Sequence, residues 1–146
     1  MNTIKSIALC LIFFANQLIA IGQTNHSLKV EIKNLRNNHG QVIVSIYNTQ
    51  KGFPDKPEFA LIQQFAPIVN SKSIVEFKNL PSGTYAVGFI HDENKNKTMD
   101  FGFLMIPKEG YGVSNNVRGT FGPPSFEKAS FEIISMDKTI VINALY

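Results

Sequence analysis

Apolar and polar residues alternate along most of the chain after residue 23, a pattern that predicts β-strands rather than helices. Residues 27–35, SLKVEIKNL, alternate apolar with charged positions, as in a strand with one buried and one solvated face. Residues 41–48, QVIVSIYN, are apolar on both faces and predict a more central strand. Residues 60–69, ALIQQFAPIV, keep helical spacing of their apolar positions, but Pro67 and the short length favour an edge strand.

Further strands are predicted in the second half of the chain, at residues 73–80, 84–92, 126–134 and 139–146. Between them, residues 102–125 contain five glycines and three prolines, which predicts an extended loop with little regular structure. Short strands separated by turn residues are typical of an all-β protein. We therefore predict a single antiparallel β-sandwich of about seven strands, prealbumin-like or Ig-like, with a barrel as the alternative.

The first 22 residues have the pattern of a cleaved signal peptide. Lys5 supplies a positive charge, residues 7–15 form an apolar run, and small residues, Ala20 and Gly22, precede the predicted cleavage site. The run is too short for a membrane anchor. We therefore expect a signal peptide at residues 1–22, one β-sandwich domain at residues 23–146, and export to the periplasm or the medium.

Charge and cysteine content exclude several classes of function. Cys10 is the one cysteine and lies in the predicted signal peptide, so the mature chain has no disulfide and no thiol chemistry. Without Lys5 the mature chain has 13 basic against 11 acidic residues, a net charge of +2. That charge is too small to indicate nucleic acid as a partner. An envelope component, a carbohydrate or a protein is the expected ligand, and no membrane span is expected after cleavage.

The stretch HDENKNKTMDFG, residues 91–102, contains oxygen-bearing side chains at the spacing of a calcium loop. In an EF-hand loop, ligands come from positions 1, 3, 5, 7 and 9, with the backbone carbonyl used at position 7. The candidate metal ligands in that frame are Asp92, Asn94, Asn96, the carbonyl of Thr98, and Asp100. Calcium is therefore the candidate cofactor of this loop.

Two positions of the same frame do not fit calcium. Lys97 replaces the glycine of position 6, and Phe103 replaces the bidentate glutamate of position 12, for which the distant Glu109 is a candidate substitute. Nearby lysines also weaken the field that a divalent cation would feel. The alternative is a polar turn in which Asp and Asn side chains bind the local backbone.

A second candidate site lies in GYGVSNNVRGTFGPPSF, where amides, a guanidinium and aromatic rings occur on a glycine-rich frame. Its candidate ligand-binding residues are Tyr111, Asn115, Asn116, Arg118 and Phe121. These residue types suit a sugar or a carboxylate ligand. The alternatives are a packed loop whose polar groups bind its own backbone, or an ion pair from Arg118 to Asp92 or Asp100.

Residues 77–87, FKNLPSGTYAV, resemble the strand–turn–strand of prealbumin-like (transthyretin-like) sandwich modules. Together with residues 79–100 and with IPKEGYGVSNNVRGTFGPPSFEKASF, they resemble the bacterial secreted family known as domain of unknown function 2141. The resemblance implies a secreted or periplasmic β-sandwich and supplies no activity. One departure concerns the acidic loop, where the family pattern has two glycines and this chain has Lys95 and Lys97.

We find no catalytic motif in the sequence and therefore expect a non-catalytic binding or structural module of the bacterial cell envelope. Its working surface would be the loops at residues 91–103 and 111–121. The alternative is a small periplasmic hydrolase that uses His91 with Asp92 or Glu109. A deep pocket in which His91 and an acid converge would favour the hydrolase.

Overall fold

A computed structural model of the protein describes residues 24–120 and 122–146. The predicted signal peptide and Phe121 lie outside the described residues. The strands are β1 (Asn25–Lys33), β2 (Gln41–Tyr47), β3 (Ile62–Ala66), β4 (Ser73–Pro81), β5 (Gly83–Asp92), β6 (Gly110–Val113), β7 (Phe131–Ile133) and β8 (Lys138–Asn143). One helical turn, α1 (Phe126–Ala129), precedes β7, and short 3₁₀ turns occur at Pro57–Phe59, Phe103–Met105 and Ser114–Asn116.

The strands form two sheets, which confirms the predicted all-β sandwich. The smaller sheet has the order β4-β1-β8, and the larger has the order β3-β2-β5-β6, with β7 also paired to β5. The pairings are antiparallel except that β1 and β8 are parallel. The prediction of a purely antiparallel sandwich is wrong at that pair. Strand β4 pairs along one edge of β1, and the last strand, β8, pairs along the other edge in the same direction as β1. The alternation of residues shows which face of a strand is buried but not its direction.

The core lies between the two sheets. Alternate residues of β1 (Leu28, Val30 and Ile32) are fully buried, as the alternation predicts. Strand β2 is buried on both faces, because Phe53 and α1 cover the outer face of the larger sheet. There the ring of Phe53 packs edge-on against Tyr47, with the ring centroids 5.3 Å apart. The predicted edge strand at residues 60–69 is confirmed as β3.

Two local predictions are wrong. Residues 126–129 form a helical turn rather than a strand, because Ser125 caps it by accepting a hydrogen bond from the backbone N–H of Lys128 (3.4 Å). The glycine-rich stretch predicted as a loop contains β6. Its glycines serve close packing, since a Cβ on Gly112 would lie 2.6 Å from the ring of Phe89.

Candidate functional site

Several segments meet at the end of the sandwich where β5 finishes. This loop end consists of residues 34–40, residues 91–109 and the C-terminal Tyr146. The turn that joins β1 to β2 is packed directly against the start of the polar loop. Gly40 has φ +71°, and a Cβ there would lie 2.0 Å from the carbonyl oxygen of Asp92, so only glycine fits. Backbone contact of this kind fixes the two loops against each other.

Asp92 is fully buried and anchors the polar loop. One carboxylate oxygen accepts hydrogen bonds from the Gln41 side chain (2.8 Å) and the N–H of Lys97 (3.1 Å). The other oxygen accepts from the N–H of Asn96 (3.0 Å). The buried charge is thus stabilised by three N–H donors, as a buried carboxylate requires.

The other predicted ligands converge on Asp100. The amide groups of Asn94 and Asn96 donate to the two carboxylate oxygens of Asp100, at 2.6 and 3.0 Å. Their carbonyl oxygens accept from backbone N–H groups two residues ahead, those of Asn96 (2.9 Å) and Thr98 (2.9 Å). This geometry is the pair of Asx-turns that the polar-turn alternative predicts. The structure therefore brings Asp92, Asn94, Asn96 and Asp100 together in a loop that is satisfied by its own hydrogen bonds.

Glu109 closes this loop from outside it. Its side chain is almost wholly buried, and its two oxygens accept from the N–H groups of Glu93 (2.9 Å) and Asp100 (3.0 Å). The carboxylate therefore joins the first and last parts of the loop. Both oxygens are occupied by backbone donors, so Glu109 does not take the place of the bidentate glutamate of a calcium loop. The sequence contains no local pattern that indicates this bridging role.

Lys95 and Lys97 occupy special backbone positions in the polar loop. Lys95 has φ +61° and Lys97 has φ +67°, both in the left-handed region that glycine adopts without steric cost. The loop keeps the backbone shape that glycines would allow, and it carries two exposed cations instead. The lysines therefore add positive charge at positions whose backbone conformation favours glycine.

Arg36 ties the neighbouring turn to the same region. Its guanidinium pairs with the carboxylate of Glu93, donates to the carbonyl oxygen of Lys108 (2.9 Å) and lies 4.6 Å from the ring centre of Tyr146. Asn37 donates to the other carboxylate oxygen of Glu93 (3.0 Å). Burial raises the pKa of Glu93, but the hydrogen bonds from Asn37 and Arg36 outweigh it and hold the pKa below its ordinary value.

His91 is fully buried at the centre of the loop end. Its Nε2 lies 2.9 Å from the carbonyl oxygen of His39, and a carbonyl can only accept, so Nε2 carries the hydrogen. When the ring carries that one hydrogen, its Nδ1 accepts from the hydroxyl of Tyr146 (2.7 Å), which itself accepts from the N–H of Arg36 (2.9 Å). Burial raises the pKa of Tyr146, which keeps this hydroxyl protonated as the donor.

The residues of the hydrolase alternative do not share a solvent-accessible site. Both ring nitrogens of His91 are engaged, and Asp92, as its neighbour on β5, points to the opposite face of the sheet. Glu109 faces backbone N–H groups rather than His91. A broad groove of about 610 Å³ lies at the opposite end, lined by residues 131–139, and contains none of these residues. The geometry gives the hydrolase alternative no support.

The second predicted site is taken up by structural contacts. The amide of Asn115 donates to two carbonyl oxygens at the end of α1 (3.1 and 2.9 Å), and Asn116 exchanges hydrogen bonds with the backbone of β8 (2.8 and 3.1 Å). Tyr111 pairs through its backbone with Leu145. Phe121 lies outside the described residues. These contacts match the packed-loop alternative.

Arg118 is exposed and forms no ion pair with any residue of the described ranges. The predicted pairing of Arg118 with Asp92 or Asp100 is therefore wrong. The reason is that both carboxylates already accept from N–H groups nearer to them, from Gln41 and the loop backbone at Asp92 and from the asparagine amides at Asp100.

Within residues 24–120 and 122–146, no three or more His, Cys, Asp or Glu side chains are arranged to hold a metal ion. No helix in the same part of the chain has both the length and the apolar character needed to cross a bilayer.

A family model described as an uncharacterized protein conserved in bacteria (DUF2141) matches residues 30–141, from β1 into β8. The chain belongs to the DUF2141 family. No curated protein and no solved structure matches it. The matched range contains both candidate loops and Glu109, but it stops before Tyr146, the hydroxyl partner of His91.

One feature of this DUF2141 domain was not identified from the sequence. Residues 103–106, the apolar tip, project from the loop end beside the polar loop. Phe103 is 85% exposed, Leu104 76%, Met105 71% and Ile106 61%. The sequence predicts only an extended loop for this stretch, because the exposure of apolar residues has no periodic signal of its own.

Proposed function

We propose that this DUF2141 protein is an exported, non-catalytic binding module of the bacterial cell envelope that binds through its loop end. The apolar tip is the observation that supports this proposal most strongly. Four consecutive large apolar side chains are each more than half exposed. Contiguous exposed apolar patches on soluble proteins mark sites of interaction with a partner or a membrane.

The contacts that hold the loops next to the apolar tip favour the same function. Glu109 bridges the polar loop, Arg36 pairs with Glu93, and His91 joins the β1–β2 turn to the C-terminal residue. Buried side chains that bind the backbone on both sides hold a loop in one conformation. A binding loop on a rigid scaffold loses less conformational entropy when it binds.

We predict that the purified protein co-sediments with bacterial envelope fragments through the apolar tip. The double variant Leu104→Ser/Met105→Ser should bind at least about tenfold more weakly, because burial of the two side chains contributes a few kcal/mol. The control is Ile134→Ser/Met136→Ser, at residues that are 62% and 73% exposed in the β7–β8 turn at the opposite end. Equal binding by both variants would contradict the proposed binding surface.

Calcium is a second candidate ligand, for the polar loop. The observation in its favour is the convergence of Asn94 and Asn96 on Asp100, with contacts of 2.6 and 3.0 Å. A half-turn of each amide would present its oxygen, instead of its nitrogen, toward Asp100, and would exchange the two Asx-turn hydrogen bonds for contacts with the ion. The set would then combine the Asp100 carboxylate with amide oxygens, which suits a hard cation. Few charged ligands imply the weak, millimolar affinity of extracellular calcium modules.

We predict that calcium raises the melting temperature of the domain. At ten times its dissociation constant the ion adds about 1.4 kcal/mol of stability, which corresponds to about 3–6 °C for a domain of this size. The shift should disappear in Asp100→Asn and should be absent with magnesium at the same concentration. Identical melting curves in 10 mM calcium and in excess chelator would show that the polar loop does not bind calcium, since about 10 mM exceeds the expected dissociation constant.

A further inference from the structure

We propose that the partner of the apolar tip is an anionic lipid bilayer, and that residues 103–106 insert into its interface. This inference rests on the proposed function and names the class of partner. Its support comes from the shape of the apolar tip, from its backbone hydrogen bonds and conformation, and from the charges around it.

The side chains of the apolar tip are exposed on all sides, which suits contact with a lipid bilayer. A rigid protein partner contacts one face of a loop, so that side chains on the other face stay covered by their own domain or are polar. Here four consecutive side chains, from Phe103 to Ile106, are all 61–85% exposed, and no polar residue interrupts them. A bilayer can surround such a convex loop on every side.

Backbone hydrogen bonds close the base of the segment, which lowers the cost of its insertion into lipid. The N–H of Gly102 donates to the carbonyl oxygen of Ile106 (2.7 Å), and the N–H of Lys108 donates to the carbonyl oxygen of Asp100 (2.8 Å). Pro107, between these bonds, has no N–H. A loop with fewer free backbone groups has less to desolvate when it leaves water.

The conformation of the turn also indicates a role for its side chains. Leu104 and Met105 both have φ +58°, where glycine and asparagine are the favoured residues. Large apolar residues in this region add steric strain and gain no burial within the domain. Strain at exposed positions is typical of functional loops. The turn therefore presents apolar side chains at positions where a turn optimised for stability would not have them.

The charges near the apolar tip favour an anionic surface. Lys95 and Lys108 are exposed on the segments before and after it, and neither forms an ion pair within the described part of the chain. The nearby carboxylates of Asp92 and Glu109 are buried and bound to N–H groups, and Glu93 pairs with Arg36. The half-buried carboxylate of Asp100 accepts hydrogen bonds from the amides of Asn94 and Asn96, so the two exposed lysines face one nearby acid without a cationic partner. Cations beside an apolar loop are attracted to anionic headgroups.

The chain contains no tryptophan, so a single introduced tryptophan reports on one position. Leu104→Trp should show a blue-shifted emission with vesicles of phosphatidylethanolamine and phosphatidylglycerol, and brominated acyl chains should quench it. With neutral phosphatidylcholine vesicles the apparent affinity should be at least about tenfold weaker, and Lys95→Gln and Lys108→Gln should each lower anionic binding about fivefold. Ile134→Trp, in the β7–β8 turn, is the matched control and should show no shift.

The lipid proposal is overturned if Leu104→Trp shows no shift with anionic vesicles, or if Ile134→Trp shifts equally. It is also overturned if Lys95→Gln and Lys108→Gln leave anionic binding unchanged. Binding to whole envelope fragments through the apolar tip, without binding to protein-free vesicles, would identify a protein or a glycan as the partner. That result refutes the lipid proposal and leaves the proposed function intact. Failure to bind envelope fragments through the apolar tip refutes the proposed function itself.

Discussion

Glu109→Gln is expected to lower the free energy of unfolding by about 2–4 kcal/mol. The carboxylate of Glu109 accepts one N–H from Glu93 and one from Asp100 while almost wholly buried. Glutamine keeps the size of the side chain but has one oxygen, so its NH₂ group would face a backbone N–H and neither could accept. A buried donor left without an acceptor costs its full desolvation. Urea unfolding followed by circular dichroism measures the change.

Glu132→Gln is the matched control for this prediction. Glu132 is exposed on β7 and accepts no side-chain hydrogen bond among the described residues, so the same chemical change there should alter stability by less than about 0.5 kcal/mol. If the two variants unfolded at the same urea concentration, the bridging role of Glu109 would be wrong. The polar loop would then need another explanation for its closed shape.

His91→Ala is expected to lower the free energy of unfolding by about 3 kcal/mol or more. The ring is fully buried, so its removal leaves a cavity, and it also removes hydrogen bonds to the carbonyl oxygen of His39 and the hydroxyl of Tyr146. Tyr146→Phe, which removes one of these bonds and the acceptor for the Arg36 N–H, should cost about 1 kcal/mol.

The control is His39→Ala, because the side chain of His39 is exposed and only its carbonyl oxygen contacts His91. It should change stability by less than about 0.5 kcal/mol. If His91→Ala left stability unchanged, His91 would not be the structural centre of the loop end, and the hydrolase alternative would regain its main residue.

The alternation of residues predicted the strands well where one face is wet and the other buried, as in β1 and β4. It failed at β6, where Gly112 packs against Phe89 and the strand is short and rich in glycine. It also failed at residues 126–129, where Ser125 caps a helical turn within an apparent strand pattern. Helix capping and close backbone approach determine the secondary structure of those two segments. The spacing of apolar residues along the chain does not reveal either feature.

The polar loop was found from the spacing of Asp92, Asn94, Asn96 and Asp100, because local side chain–backbone hydrogen bonds depend on spacing along the chain. The bridge from Glu109 was not found, because it depends on how two distant segments pack. The sequence leaves Asn115 and Asn116 as either ligand contacts or members of a packed loop, and in the structure their amides bind backbone that other elements bring near. Such tertiary contacts carry no sequence periodicity.

The central claim is that the apolar tip is the surface by which the domain meets the cell envelope. Met105 lies in the apolar tip and Met136 in the turn between β7 and β8, with exposures of 71% and 73%. Nuclear magnetic resonance of protein labelled with ¹³C at the methionine methyls, titrated with envelope fragments, compares the two ends in one sample. We expect slower tumbling to broaden both signals and the Met105 signal to broaden clearly more than the Met136 signal, because the contact also immobilises the side chain of Met105. Equal broadening of both signals, or broadening of Met136 alone, would contradict the claim.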